Sequence, residues 1–350
     1  MTLLVEQCGA VTFRLGVVIA VRFTTHLARA ATLFALLSLA GCAELALART
    51  PDPVITRTLP PSPTSAPSAT GTPLPPTATP APTGTPSPTP FPTPRPACSE
   101  VIGRVDTGVF PSQILASGQG VYAIYFPPCY DTRLRYPVVY LMHGSPNFDE
   151  RHWLGLGLKE AADQAIAARR VPPFIAVFPR GDVNGTFGNT SGGNGSWEQV
   201  MVDELIPYID TIYNTLATKE GRAIGGISRG AVWALEIAFL HPDLFSAVGG
   251  HSSALSVSLA PPAFDPIEIA QTDQINALAG LRILLDSGDT DWALQKTAEL
   301  HAILDSRGLQ NTLMVGRGAH GAEYWESQME AYVGFYGSIF DGLIALDEDK

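Results

Sequence analysis

From about residue 98 onward the chain alternates short, densely apolar runs with longer stretches of mixed polarity. Val121–Phe126 (VYAIYF) and Tyr136–Met142 (YPVVYLM) are rich in aromatic and β-branched residues and end at Pro or near Gly, the signature of strands. Pro173–Phe178, Ala223–Ile227, Phe245–Gly249, Leu281–Leu285 and Thr312–Val315 supply further runs of strand length. Between them, Trp153–Ala168, Trp197–Leu216, Arg229–Leu240, Asp291–Ser306 and Ala322–Leu343 have the length of helices. Strands that are apolar throughout, alternating with helices, predict an α/β architecture with a largely parallel sheet covered on both faces. Gly181–Ser196 (GDVNGTFGNTSGGNGS) reads as a long Gly/Asn-rich loop, either a plain surface connection or a wall over a pocket.

The first 97 residues follow another pattern. Arg14, Arg22 and Arg29 precede an apolar run, Ala30–Leu39, that is too short to span a bilayer and reads as a signal peptide over residues 1–41. Leu39-Ala40-Gly41-Cys42 resembles the bacterial lipoprotein signal, which implies a lipidated Cys42, membrane anchoring and an exported, cell-envelope location. Residues 42–97 are then a linker, because Pro51–Pro96 consists almost wholly of Pro, Thr, Ser, Ala and Gly with no apolar face to bury. As an extended polyproline-like spacer those 46 positions reach roughly 140 Å at about 3.1 Å per residue. Residues 98–350 form the folded domain.

A net charge of −11, with no basic stripe in the folded part, argues against a nucleic-acid partner. After the signal only Cys42, Cys98 and Cys129 remain; in an exported protein the last two can pair or stay as thiols. Asp182-Val183-Asn184-Gly185 looks faintly like a calcium turn but lacks a downstream bidentate acid, so neither a metal nor another cofactor is expected.

Gly226-Ile227-Ser228-Arg229-Gly230 lies where a strand turns into a helix, the context that makes G-x-S-x-G a nucleophile elbow. A side chain at Gly226 or Gly230 would collide with the neighbouring helix or strand. Ser228 needs a base. His26 lies in the signal, and His152, His241 and His301 sit in or beside predicted helices, where surface or capping roles fit. His320 occupies the loop between the last predicted strand and the C-terminal helix and is the first choice. His251 follows the strand after the elbow helix and is second, while His143 reads as a shaper of its own loop. The imidazole in turn needs an anion, and Leu285-Asp286-Ser287-Gly288-Asp289-Thr290-Asp291 offers three carboxylates. Asp291 is preferred because a turn through Gly288 lets it point back over the strand ends, with Asp289 and then Asp286 as alternatives. The backbone N–H groups of Arg229 and Ser145, the latter in Met142-His143-Gly144-Ser145-Pro146, are placed to face a developing oxyanion.

Together these residues resemble the esterase branch of the α/β-hydrolase superfamily, which includes feruloyl esterases, enterochelin esterases, S-formylglutathione hydrolases and mycolyltransferases. The resemblance runs from about Gly103 to Leu343. It rests on Phe126-Pro127-Pro128-Cys129-Tyr130-Asp131 leading into Tyr136–Gly144, on Trp153, on Trp197-Glu198 with Glu204–Ile209, and on the elbow, Gly288 with Asp291, and His320 with Trp325. It implies a Ser228–Asp291–His320 triad, an oxyanion hole at Ser145 and Arg229, and cleavage of small-molecule or glycan-linked carboxylic esters without a cofactor. Acyl transfer to a sugar or other alcohol is the alternative, and a non-catalytic surface-binding module is the reading from another class. Cys129 stands where the family has glycine, and Ser145 where it often has an apolar residue or glycine.

Overall fold

The computed structural model describes residues 98–146, 149–182, 185–189, 191–258, 260–343 and 345–346. Cys42, the signal and the linker lie outside the described residues. The strands are β1 (Arg104–Pro111), β2 (Gln119–Phe126), β3 (Leu134–Arg135), β4 (Val138–Met142), β5 (Ile175–Pro179), β6 (Arg222–Ile227), β7 (Ala247–His251), β8 (Arg282–Gly288), β9 (Asn311–Gly316) and β10 (Ala345–Leu346). The helices are α1 (His152–Gly155), α2 (Leu158–Ala167), α3 (Thr186–Asn189), α4 (Trp197–Gln199), α5 (Ile206–Ile212), α6 (Arg229–Leu240), α7 (Pro266–Gln271), α8 (Leu294–Ser306) and α9 (Ala322–Ile339).

One mixed sheet of eight strands runs in the order β1-β2-β5-β4-β6-β7-β8-β9. β1 and β2 pair antiparallel with each other and β2 with β5, while the six strands from β5 to β9 are parallel. Successive residues of β4 show why its apolar run is continuous: Val138, Tyr140 and Met142 join the core on one face of the sheet, Val139 and Leu141 that on the other. After β4 the chain moves outward to β5 and then crosses back to β6 on β4's other side. That reversal leaves a crevice beyond the carboxyl ends of β4 and β6, the place where open α/β sheets bind ligands.

The structure departs from the predicted elements at identifiable points. β1 lies outside the predicted strands, because its sequence RVDTGVFP is mostly exposed at the sheet edge and lacks a buried run. The predicted helix 153–168 is broken at Gly157, whose φ of 88° no helix accommodates. The predicted helix 197–216 passes through a π-helical stretch, Val200–Leu205, and ends at Ile212. α7 also lies outside the predicted helices, although Asp265 caps it by accepting from the N–H groups of Ile267 and Glu268 with Pro266 in its first turn, a legible start signal. α8 begins at Leu294, which leaves Asp291 in the turn before it.

Two features set the stability of this frame. Cys98 and Cys129 form a disulfide that ties the start of the domain to the end of β2 across a separation of 31 residues. Glu236, wholly buried on α6, is the second: burial pushes its carboxyl from 4.5 up to about 8 against the pull of the Arg229 guanidinium. The unfolded chain releases this proton near pH 4.5 and the folded protein only near 8, so the folded form holds more protons in between. Stability therefore falls as pH rises through that window. Two outcomes are expected in urea titrations. Replacing both Cys98 and Cys129 with Ser lowers the unfolding free energy by about 4 kcal/mol, from the loop-closure entropy of a 31-residue separation. Separately, the stability of Glu236→Gln relative to the wild type grows between pH 5 and 8 by up to about 1.4 kcal/mol per pH unit; a constant difference would show that Glu236 does not carry the buried proton.

Candidate active site

Ser228 follows β6 and occupies the N-cap of α6 with φ 57° and ψ −115°, a conformation a non-glycine residue adopts only when its surroundings enforce it. The enforcement is steric. A Cβ on Gly226 would lie 2.2 Å from the backbone of Gly230, and one on Gly230 would lie 2.4 Å from the carbonyl oxygen of His143. Glycines two before and two after the serine thus let α6 turn back immediately against β6 and β4. Around the turn, Ser228 N–H donates to the His251 carbonyl at 2.8 Å, and the Ser228 carbonyl accepts from Ala231 and Ala254. The hydroxyl is left at the carboxyl edge of the sheet, in the crevice of the strand-order reversal.

The Ser228 hydroxyl donates to His320 Nε2 at 2.9 Å, and His320 Nδ1–H donates to Asp291 Oδ1 at 2.9 Å. His320 sits in the loop between β9 and α9 and Asp291 in the turn after β8, so three strand ends converge on one point. Burial pushes the Asp291 carboxyl up, but hydrogen bonds from His320, the Ala293 N–H and Ser252 outweigh it and hold the group below the usual carboxylate range. Asp291 is therefore an anion beside the imidazole at neutral pH.

The three carboxylates of the β8 segment take different tasks. Asp289 accepts from the Gly318 N–H at 2.9 Å and pins the loop that carries His320. Asp286 is wholly buried; it accepts from His251 Nδ1 at 2.5 Å and from the hydroxyls of Tyr324 and Tyr332 at 2.8 and 2.6 Å. Tyr336 completes this cluster by donating to His251 Nε2 at 2.8 Å. Burial raises the Tyr332 and Tyr336 phenols well above their usual range, so both stay protonated donors. His251, the second-choice base, thus lies beneath the site in a closed network and does not reach the pocket.

His143 holds its loop. The Gly181 N–H donates to its Nε2 at 2.7 Å, which puts the ring proton on Nδ1, facing the Gly144 carbonyl at 3.1 Å. Burial keeps this imidazole down at about 4, so it is neutral and fixed in one tautomer. His152, assigned from sequence to a surface or capping role, instead accepts from the Gly144 N–H at 3.3 Å and braces the same loop from the other side. No sequence signal marked that contact, because His152 reaches back eight residues from α1. His241 binds Glu198 at 2.6 Å, and His301 meets Asn311.

Within the 181–196 segment, Gly188 lines the pocket over Ser228 and Phe187 anchors the stretch. Phe187 is buried edge-on to Trp197 with ring centroids 5.2 Å apart, its carbonyl accepts from Trp233 Nε1 at 3.0 Å, and Asp182 accepts from the Phe187 N–H at 2.8 Å. Asp182, in the faint calcium-like stretch, thus caps this turn. A pocket of about 390 Å³ opens over Ser228, lined by Ser145, Gly188, Ser228, Arg229, Ala254, Val257, Trp292 and His320. Trp292 stacks on the His320 ring with centroids 4.4 Å apart, and Trp325 meets the same ring edge-on at 5.2 Å while donating to Ser252 at 3.0 Å. The arrangement brings the Ser228 hydroxyl, the His320 ring and the residues Ser145 and Arg229 to one pocket.

A family model described as "Putative esterase" matches residues 117–336. An endo-1,4-beta-xylanase/feruloyl esterase from Xylanibacter ruminicola is 36% identical over 120 residues, 33% of this chain and 16% of that protein. An esterase from Mycobacterium tuberculosis is 32% identical over 153 residues, 42% of this chain and 32% of that protein. The chain thus spans a third or less of the length of these curated relatives. Among solved structures, a ferulic acid esterase superposes with TM-score 0.59 and 25% identity, covering 68% of this chain and 100% of that one. An S-formylglutathione hydrolase from Staphylococcus aureus, at TM-score 0.53 and 13% identity over 67% of this chain and 98% of its own, shares the fold. With the family match extending over most of the described domain and the site at the carboxyl edge of a mixed α/β sheet, the chain belongs to the esterase family of the α/β-hydrolase superfamily.

Proposed function

We propose that the protein is a serine hydrolase of carboxylic esters that works through an acyl-enzyme on Ser228. The observation that carries this reading is the continuous Ser228–His320–Asp291 hydrogen-bond chain, 2.9 Å at each link, with its hydroxyl end in an open pocket. His320 Nε2 takes the Ser228 proton as Oγ attacks the ester carbonyl carbon, and Asp291 stabilises the imidazolium that forms. The tetrahedral oxyanion is met by the backbone N–H groups of Arg229, at the positive end of α6, and of Ser145. His320 then delivers its proton to the departing alcohol oxygen; in the second half the same ring takes a proton from water as it attacks the acyl carbon and returns that proton to Ser228 Oγ as the acid is released. Every proton is carried by these side chains, so the cycle calls on no cofactor. An acceptor alcohol in place of water would make the protein an acyltransferase, and product analysis with added alcohols separates the two.

The first 97 residues carry a second part of the proposal. Leu39-Ala40-Gly41-Cys42 after an apolar run supports export and lipid anchoring at Cys42, and the Pro/Thr-rich stretch supports a spacer that holds the domain away from the envelope surface. The Cys98–Cys129 disulfide suits an oxidising, extracytoplasmic compartment.

With nitrophenyl esters of short and long acids, Ser228→Ala is expected to lower kcat by about 10⁴-fold or more, and Asp291→Asn by roughly 10³- to 10⁴-fold. Equal turnover by Ser228→Ala and the wild type would remove the mechanism. In cell fractionation Cys42→Ser is expected to move the protein from membrane to soluble fraction; unchanged partitioning would rule out the lipid anchor.

A further inference from the structure

Trp292 is a large apolar side chain left 49% exposed, and Val257, which lines the same pocket, is 66% exposed. Scattered exposed apolar groups need no explanation, but two at the mouth of one pocket call for an occupant. The geometry of the indole specifies which part of the substrate that is. Its ring lies at 34° to the His320 imidazole with centroids 4.4 Å apart, so one face is covered by the base. The residue is half exposed and lines the pocket over Ser228, so part of its surface not covered by the base is available there.

The alcohol side of the ester can be located from the chemistry. On the proposed mechanism, which this inference rests on, the departing alcohol oxygen must come within hydrogen-bond reach of His320 Nε2 to receive its proton. The carbonyl oxygen is committed elsewhere, to the backbone donors at Arg229 and Ser145. The group attached to the leaving oxygen therefore emerges past the imidazole, beside the indole stacked on it. Asp291 is fixed by His320 and by the Ala293 N–H at 2.8 Å, so the adjoining Trp292 is carried on a rigid turn and presents a preformed surface.

We propose that Trp292 is a specificity-determining residue that selects esters whose alcohol part is a ring with a flat face, the face of a sugar ring or of an aryl group, by stacking that ring beside the catalytic imidazole. Val257 extends the apolar rim. A small acyclic alcohol gains nothing from this surface, while a ring gains an offset stack in the ground state and in the transition state alike.

The test keeps the acyl group constant and varies the alcohol: glucose 6-acetate, 4-methylumbelliferyl acetate and ethyl acetate are compared as kcat/KM for the full chain and for Trp292→Leu and Trp292→Phe. Taking each variant relative to wild type on the same ester cancels the different reactivities of the alcohols. Trp292→Leu, which keeps apolar bulk but no flat face, is expected to lose roughly five- to ten-fold more on a ring ester than on ethyl acetate. Trp292→Phe is expected to recover most of that difference. Loss confined to the glucose ester identifies a sugar as the occupant, and loss confined to the umbelliferyl ester an aryl group. Equal losses on all three esters would overturn the proposal and leave Trp292 as support for His320 alone. Wild-type protein that cleaves none of them would instead overturn the hydrolase reading, a result distinct from equal losses.

Discussion

The backbone turn at Ser228 is the constraint on which the rest of the site depends. A residue held at φ 57° and ψ −115° sits in a conformation that costs free energy, on the order of 1–3 kcal/mol, unless neighbours forbid the alternatives. Here the helix packs so close to β6 and β4 that only glycine fits at 226 and 230, and hydrogen bonds from β7 and the segment after it hold the turn from both sides. Close packing of a helix against a sheet is thereby converted into the presentation of one hydroxyl, aimed at a base that arrives from three strands further along.

Beneath that hydroxyl lies a closed polar layer. Asp286, His251 and three tyrosines satisfy one another with almost no exposure to water, and backbone bonds connect this layer to the site: the His251 carbonyl holds Ser228 N–H, and the Asp286 carbonyl holds Ser252 N–H at 2.8 Å. A buried network pays its way only when every member is partnered, and when it is, it makes the structure above it rigid. The division of labour among the carboxylates of β8 follows from position alone. The one inside the strand is buried as structure, the next fixes a loop, and the one past the turn reaches the imidazole.

The loops are braced just as tightly. His143 and His152 both hold the segment after β4, one through the Gly144 carbonyl and the Gly181 N–H, the other through the Gly144 N–H. The glycine-rich stretch after β5 is anchored by Phe187, packed against His143 and Trp197. A pocket built on such loops has little left to order when a substrate enters, which leaves specificity to its rim.

Much of this was legible along the chain. Continuous apolar runs announced a sheet buried on both faces, and the glycines flanking Ser228 announced the elbow, because period and sterics act over a few residues. The order of Ser228, Asp291 and His320 could be read for the same reason, each ending or following a predicted strand. What the chain alone left open depended on neighbours distant in sequence: which of three aspartates meets the base, whether His251 faces the pocket or the interior, that His152 braces a loop, and that an exposed strand such as β1 pairs at all. Local pattern determined the elements and where reactive groups could appear; tertiary packing decided which of those groups touch, since hydrogen bonds and burial depend on distances that spacing along a chain does not contain.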